Sequence, residues 1–198
     1  MEVLIDGSKL NTKERQDKAL LVQAEMKRVL NHENFKENLL YLLRTRNYAE
    51  GELSEWRHHS PESIYEYLMD GSEILHPEKD GVLNLWVDDY YSFKKVIGYT
   101  TRSDDYIYSN TKYLDHRSAK MVGSNYVHEW GHKKGFSHDF RSTSRRRNSL
   151  CYLLNIAYET TWDDLYTGDV VPEADKIKVC TRTWYTLWLG KKCKWVMV

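Results

Sequence analysis

The stretch His128-Glu129-Trp130-Gly131-His132-Lys133-Lys134-Gly135-Phe136-Ser137-His138 holds residue types at a spacing that does chemistry. Residues four apart share one face of a helix, so His128 and His132 present two imidazoles to one ion. Glu129 lies beside that face, within reach of a water in the ion's open position. A helix continued past His132 would carry a third ligand away. Gly135 permits a sharp turn, and His138, three residues on, returns to the same ion. Three neutral nitrogens and one water make an open tetrahedral zinc site, an arrangement for hydrolysis and not for structural support. Cobalt and nickel also tolerate such a ligand set. In a chain with 8 His, 10 Gly and this acid content, these five fixed positions arise by chance roughly once in 20,000. The other histidines (His32, His58, His59, His76 and His116) show no ligand spacing.

The elements that must position these residues are legible on either side. Ser118 is placed to cap a helix running to Lys134, with Gly135 ending it. Upstream, Val82 to Val87, Val96 to Thr100 and Tyr106 to Ser109 read as strands, separated by Asp88-Asp89 and by Arg102 to Asp105. Val3-Leu4-Ile5 reads as an edge strand. Asn11 with Glu14 forms a capping-box pattern before a helix whose stripe is Ala19, Val22, Met26 and Val29. A second helix follows around Phe35, Leu39, Leu40 and Leu43, then a loop from Gly51 to His59. Ser60-Pro61-Glu62 starts another helix. After the third histidine the chain turns basic (Arg141, Arg145, Arg146, Arg147) and is helical from about Ser149 to Tyr158. The tail from Ile177 reads as strand or ribbon.

With 198 residues, 41% hydrophobic and 13% aromatic, the chain has material for one core and is not a disordered polymer. Its 29 basic and 29 acidic residues cancel, which gives no basis for nucleic-acid or membrane-surface binding. No run approaches the roughly 18 apolar residues of a spanning helix. The start, MEVLIDGSKL, lacks the basic and apolar regions of a signal peptide, so a cytoplasmic location is expected. Three cysteines, Cys151, Cys180 and Cys193, do not form a disulfide framework, although Cys180 and Cys193 would be able to pair in an oxidising compartment.

HEWGHKKGFSH resembles the long zinc signature of the metzincin metallopeptidases, HExxHxxGxxH, with every fixed position present. The resemblance covers about residues 82–152. It implies an α+β, metzincin-like zincin fold: a small twisted mixed sheet with an antiparallel edge strand over the active-site helix, and a smaller, mostly irregular or helical C-terminal subdomain. One catalytic domain over residues 1–198 is expected, with an upper part to about 138 and a lower part beyond it. By the same resemblance Val96, Ile97, Gly98 and Tyr99 belong to the edge strand that holds an extended peptide by strand addition. His128, His132 and His138 would hold one zinc ion, and Glu129 would act as general base and then general acid. The expected partner is a peptide or protein substrate, and a monomer is assumed.

The chain departs from the metzincin pattern at one place. That clan carries a methionine in a turn beneath the metal, whereas the only methionine after His138 is Met197. The best local match, Ser149-Leu150-Cys151-Tyr152, puts Cys151 there, as the floor of the site or as a fourth ligand that would close it. Tyr152 stands one residue early for the clan's oxyanion-binding tyrosine, and Tyr158 is a weaker candidate. Latency through an N-terminal cysteine is not expected, since no cysteine precedes Cys151 in this sequence. Arg145 and Arg146 are candidates for selecting acidic side chains. Two alternatives stand beside a zinc endopeptidase. One is a catalytically silent zinc-binding or regulatory protein on the same fold. The other is a peptidoglycan-cleaving metallo-amidase, for which Trp184, Trp188 and Trp195 among Lys191, Lys192 and Lys194 offer a binding tail.

Overall fold

Alternating burial builds the sheet. Val3 and Ile5 are buried in β1 (Glu2–Asp6), and Leu83, Leu85 and Val87 in β2 (Val82–Tyr90), while their neighbours stay partly solvated. β3 (Gly98–Tyr99) and β4 (Tyr106–Asn110) complete a mixed four-stranded sheet in the order β1-β2-β4-β3. β1, β2 and β4 run parallel, and β3 pairs antiparallel with β4 through Gly98–Ser109 and Tyr99–Tyr108. The antiparallel edge is therefore present but spans two residues where Val96 to Thr100 was expected. Asn110 explains the shortening. Its side-chain amide donates to the carbonyls of Ser92 and Val96, and its backbone N–H to that of Ile97 at 2.8 Å, so those residues bend around one side chain. This computed structural model describes residues 1–46, 59–101, 103–139, 143–166, 176–181 and 192–197. The expected loop from Gly51 falls outside them up to His58, as do Arg102, Arg141, Trp184, Trp188 and Lys191.

Parallel neighbours need a crossover, and the β1–β2 connection carries α1 (Lys13–Leu30), α2 (Glu33–Thr45) and α3 (Pro61–Met69). Thr12, not Asn11, caps α1, its hydroxyl accepting from Arg15 N at 3.3 Å. Asn11 is drawn away by a partner remote in sequence: its backbone N–H and its amide both donate to Asp89. Ser60 caps α3 with Pro61 in the first turn, as its residue types require.

After β4 and a short α4 (Thr111–Leu114) comes α5 (Ala119–Lys133), capped by Ser118, whose hydroxyl accepts from Met121 N. Such a cap is worth about 1 kcal/mol. α5 is buried nearly all round, against α1 and, most extensively, against α7 (Leu150–Tyr166), which α6 (Ser144–Arg147) introduces. α7 runs eight residues past Tyr158, and Trp162 and Tyr166 extend its buried face. Two glycines of α5 let α7 lie this close. A Cβ on Gly131 would stand 3.0 Å from Cys151 Sγ and 3.2 Å from Leu154 Cδ1, and one on Gly123 would stand 2.9 Å from Tyr158 Cζ. One hydrophobic cluster runs from Val3 to Tyr166, crossing residue 138 without a break. The tail forms an antiparallel hairpin of β5 (Lys176–Thr181) and β6 (Lys192–Met197), in which Cys180 stands opposite Cys193. Among the described residues no helix is long and apolar enough to cross a membrane.

Candidate metal centre

The end of α5 makes the turn that the third histidine needs. Gly135 has φ +97°, a conformation that side chains with a Cβ rarely adopt. Phe136 N donates to Gly131 O at 3.0 Å and Gly135 N to His132 O at 2.9 Å, the paired bonds of a Schellman motif. Residues far away in sequence lock this end. Tyr67 Oη donates to Lys134 O at 2.8 Å and Ile74 N to Lys133 O at 3.0 Å, satisfying carbonyls that a helix terminus leaves open. Lys134 is buried with its ammonium 2.7 Å from Asp70 and 3.9 Å above the Tyr67 ring, and Lys133 pairs with buried Glu73 at 3.1 Å. Two cations in the last turn also suit the helix dipole.

On this frame His128, His132 and His138 converge, with one nitrogen from each within 4.8 Å of the others. Their tautomers follow from their partners. His132 Nδ1 lies 2.8 Å from Phe136 O, and His138 Nδ1 lies 3.2 Å from Asp139 O. A carbonyl oxygen only accepts, so both Nδ1 atoms carry the hydrogen and both Nε2 atoms keep a lone pair. His138 Nε2 is 3.1 Å from His128 Nε2. Two lone pairs repel at that distance unless a proton or a cation lies between them. Ligands at about 2.1 Å from a tetrahedral ion stand about 3.4 Å apart, so the observed spacing is close to that of a shared metal. Burial, then the neighbouring His132 and His138, push His128 down to about 3, so it is neutral, as a ligand must be. The three histidines thus form a group that can hold a metal ion.

Glu129 follows His128 in α5. It is buried at 5% exposure, and burial pushes its carboxyl up to about 8 against a hydrogen bond from the backbone of Thr100. Thr100 directly follows β3, so that bond ties the acid to the sheet edge. There Val96 and Tyr99 are exposed, Ile97 and Val96 spend their carbonyls on Asn110, and Gly98 passes so close to α5 that a Cβ would meet Asn125 Nδ2 at 2.7 Å. Tyr99 stacks on Tyr108 at 4.9 Å and meets Tyr90 edge-on at 5.2 Å, which builds an aromatic wall beside the edge.

The floor comes from α7. Cys151 is fully buried with Sγ 3.6 Å from His132 Nδ1, the nitrogen committed to Phe136. It is not among the converging ligands, so among the described residues no fourth protein ligand closes the site. Tyr152 stands edge-on to His128 with centroids 4.7 Å apart, and 5.0 Å from His138. Tyr158 is instead buried against Gly123, away from the histidines. Arg146 Nε donates to Tyr152 Oη at 2.8 Å, and Arg145 sits in the same helical turn, α6. Sequence reasoning missed Thr100, Asp70 and Glu73, whose roles depend on contacts across many residues, and no local pattern marks them. Comparison of the chain with protein families, curated proteins and solved structures finds no match.

Proposed function

We propose that the chain is a zinc-dependent endopeptidase of metzincin type acting on a peptide or protein substrate. The observation that carries this reading is the convergence of three imidazoles, two with Nε2 lone pairs fixed by carbonyl partners, at the end of the helix that also carries the buried Glu129. His128, His132 and His138 would hold a zinc ion, which would supply Lewis acidity toward a water and the scissile carbonyl. Glu129 removes a proton from the attacking water and returns it to the leaving nitrogen. Tyr152 lends its hydroxyl to the oxyanion formed on attack. The unpaired side of β3 holds the extended substrate, with Tyr99 exposed on it and Val96 exposed just before it.

Peptide-library cleavage read by mass spectrometry tests this, with zinc-loaded wild type beside zinc-loaded Glu129→Ala. Cuts by the wild type and almost none by the variant, at one zinc per chain in both, are expected. Equal cleavage by both refutes the role of Glu129. No cuts by either, with zinc bound, establish the catalytically silent alternative. A parallel incubation with purified peptidoglycan separates the amidase.

A further inference from the structure

We propose that Arg146 is a positioning residue, holding the Tyr152 hydroxyl as a hydrogen-bond donor at the histidine cluster. A guanidinium has donors only, so in the 2.8 Å contact Arg146 Nε–H donates and Tyr152 Oη accepts. The phenol's own hydrogen is then left for another acceptor, and among the described residues Tyr152 shows none. The ring carrying it stands against His128 and His138, so a phenol beside the cluster keeps a hydrogen to give. The guanidinium carbon lies 5.2 Å from the ring centroid, and a phenol that accepts from a cation becomes a stronger donor.

Arg146 is itself held. Its N–H donates to Thr143 Oγ1 at 3.0 Å, and its carbonyl accepts from Ser149 Oγ at 2.8 Å and Ser149 N at 3.1 Å. The turn between α6 and α7 is thereby clamped at Arg146, and Tyr152 follows in the first turns of α7. This assigns the guanidinium to the tyrosine, where its charge alone would favour selection of acidic side chains. The catalytic consequence rests on the peptidase reading, since the acceptor it serves is the oxyanion of peptide attack.

Two measurements test it. In steady-state kinetics on one peptide, Tyr152→Phe is expected to lower kcat by about a hundredfold, as loss of one oxyanion donor does, with KM nearly unchanged. Arg146→Ala is expected to lower kcat by about tenfold, and Arg146→Lys to recover most of that, since its ammonium also donates. In the Tyr152→Phe background, Arg146→Ala should cost less than about twofold. An equal factor in both backgrounds overturns the proposal. The second measurement needs neither metal nor turnover: 3-fluorotyrosine placed at 152 and read by 19F NMR in the metal-free protein. Arg146→Ala should move and sharpen that resonance toward the unfolded-chain position while the thermal midpoint holds. An unchanged resonance overturns the proposal, whereas a wild type that cuts no peptide overturns only the peptidase reading. Arg146→Gln, which keeps N–H donors without the charge, replaces the alanine variant where that variant does not fold.

Discussion

Gly123→Ala tests the packing that creates the centre, because two effects of known size oppose each other there. Alanine in a helix interior is favoured over glycine by about 1 kcal/mol, so propensity alone predicts a more stable protein. The new methyl, however, meets the Tyr158 ring, with Cζ at 2.9 Å and Cε1 at 3.3 Å and the hydroxyl nearer still. That ring is rigid and fully buried in α7, so it cannot swing into solvent. Overpacking of this kind costs about 1–3 kcal/mol, and a contact below ordinary van der Waals distance lies at the upper end. The net expectation is a loss of about 2 kcal/mol, or about 4–8 °C in thermal midpoint for a domain of this size. Calorimetry measures it. Repeating the substitution in a Tyr158→Phe background should shrink the penalty by about 1 kcal/mol, because the nearest atom is gone. Zinc affinity should fall together with stability, since a displaced α7 carries Cys151 and Tyr152 with it. A raised midpoint, or the same penalty in both backgrounds, refutes the close packing of α5 on α7.

Cys151→Ala should leave one zinc per chain and lower stability by about 1 kcal/mol through the void left by the sulfur; a fall in zinc stoichiometry would make Cys151 a ligand after all. The Tyr166 phenol is pushed up to about 12, first by burial and then by its hydrogen bond to Glu25. The folded state thus prefers the neutral phenol, and that preference is fully present below pH 10 and lost as pH rises from 10 to 12. Denaturant midpoints should therefore fall more steeply over that window in the wild type than in Tyr166→Phe, and parallel slopes would refute the assignment.

The three converging histidines were legible because their geometry is local. His128 and His132 share a helical face, and the Gly135 turn returns His138, all within eleven residues of sequence. Ser118 and Ser60 were legible as caps for the same reason. Asn11 and Thr12 are both competent caps, and the choice between them rests on Asp89, which takes the Asn11 amide. The two-residue length of β3 depends on Asn110 in the next strand, and α7 passes Tyr158 because Trp162 and Tyr166 pack at successive four-residue steps. That last spacing was present in the sequence. Its polar neighbours Glu159, Thr160, Asp163 and Asp164 concealed it, although Thr161 turns its hydroxyl back to Ala157 O and so costs the helix little.

The absence of a methionine beneath the centre follows from the same close packing. The residue at this place has to support His132 from below with a soft apolar surface and leave the metal side of the ring free. Cys151 does this from the first turn of a helix, with Sγ 3.6 Å from the ring nitrogen and 3.0 Å from where a Gly131 side chain would begin. A methionine is two heavy atoms longer, and at full burial those atoms would have to displace His132 or Leu154. The short residue and Gly131 fit each other: the glycine lets α7 lie on α5, and Sγ stands where a Gly131 side chain would begin to crowd it. Tyr152, one residue later on α7, then points at His128 and His138 one position earlier than the metzincin spacing implies. One packing constraint on the start of α7 therefore sets the places of both Cys151 and Tyr152.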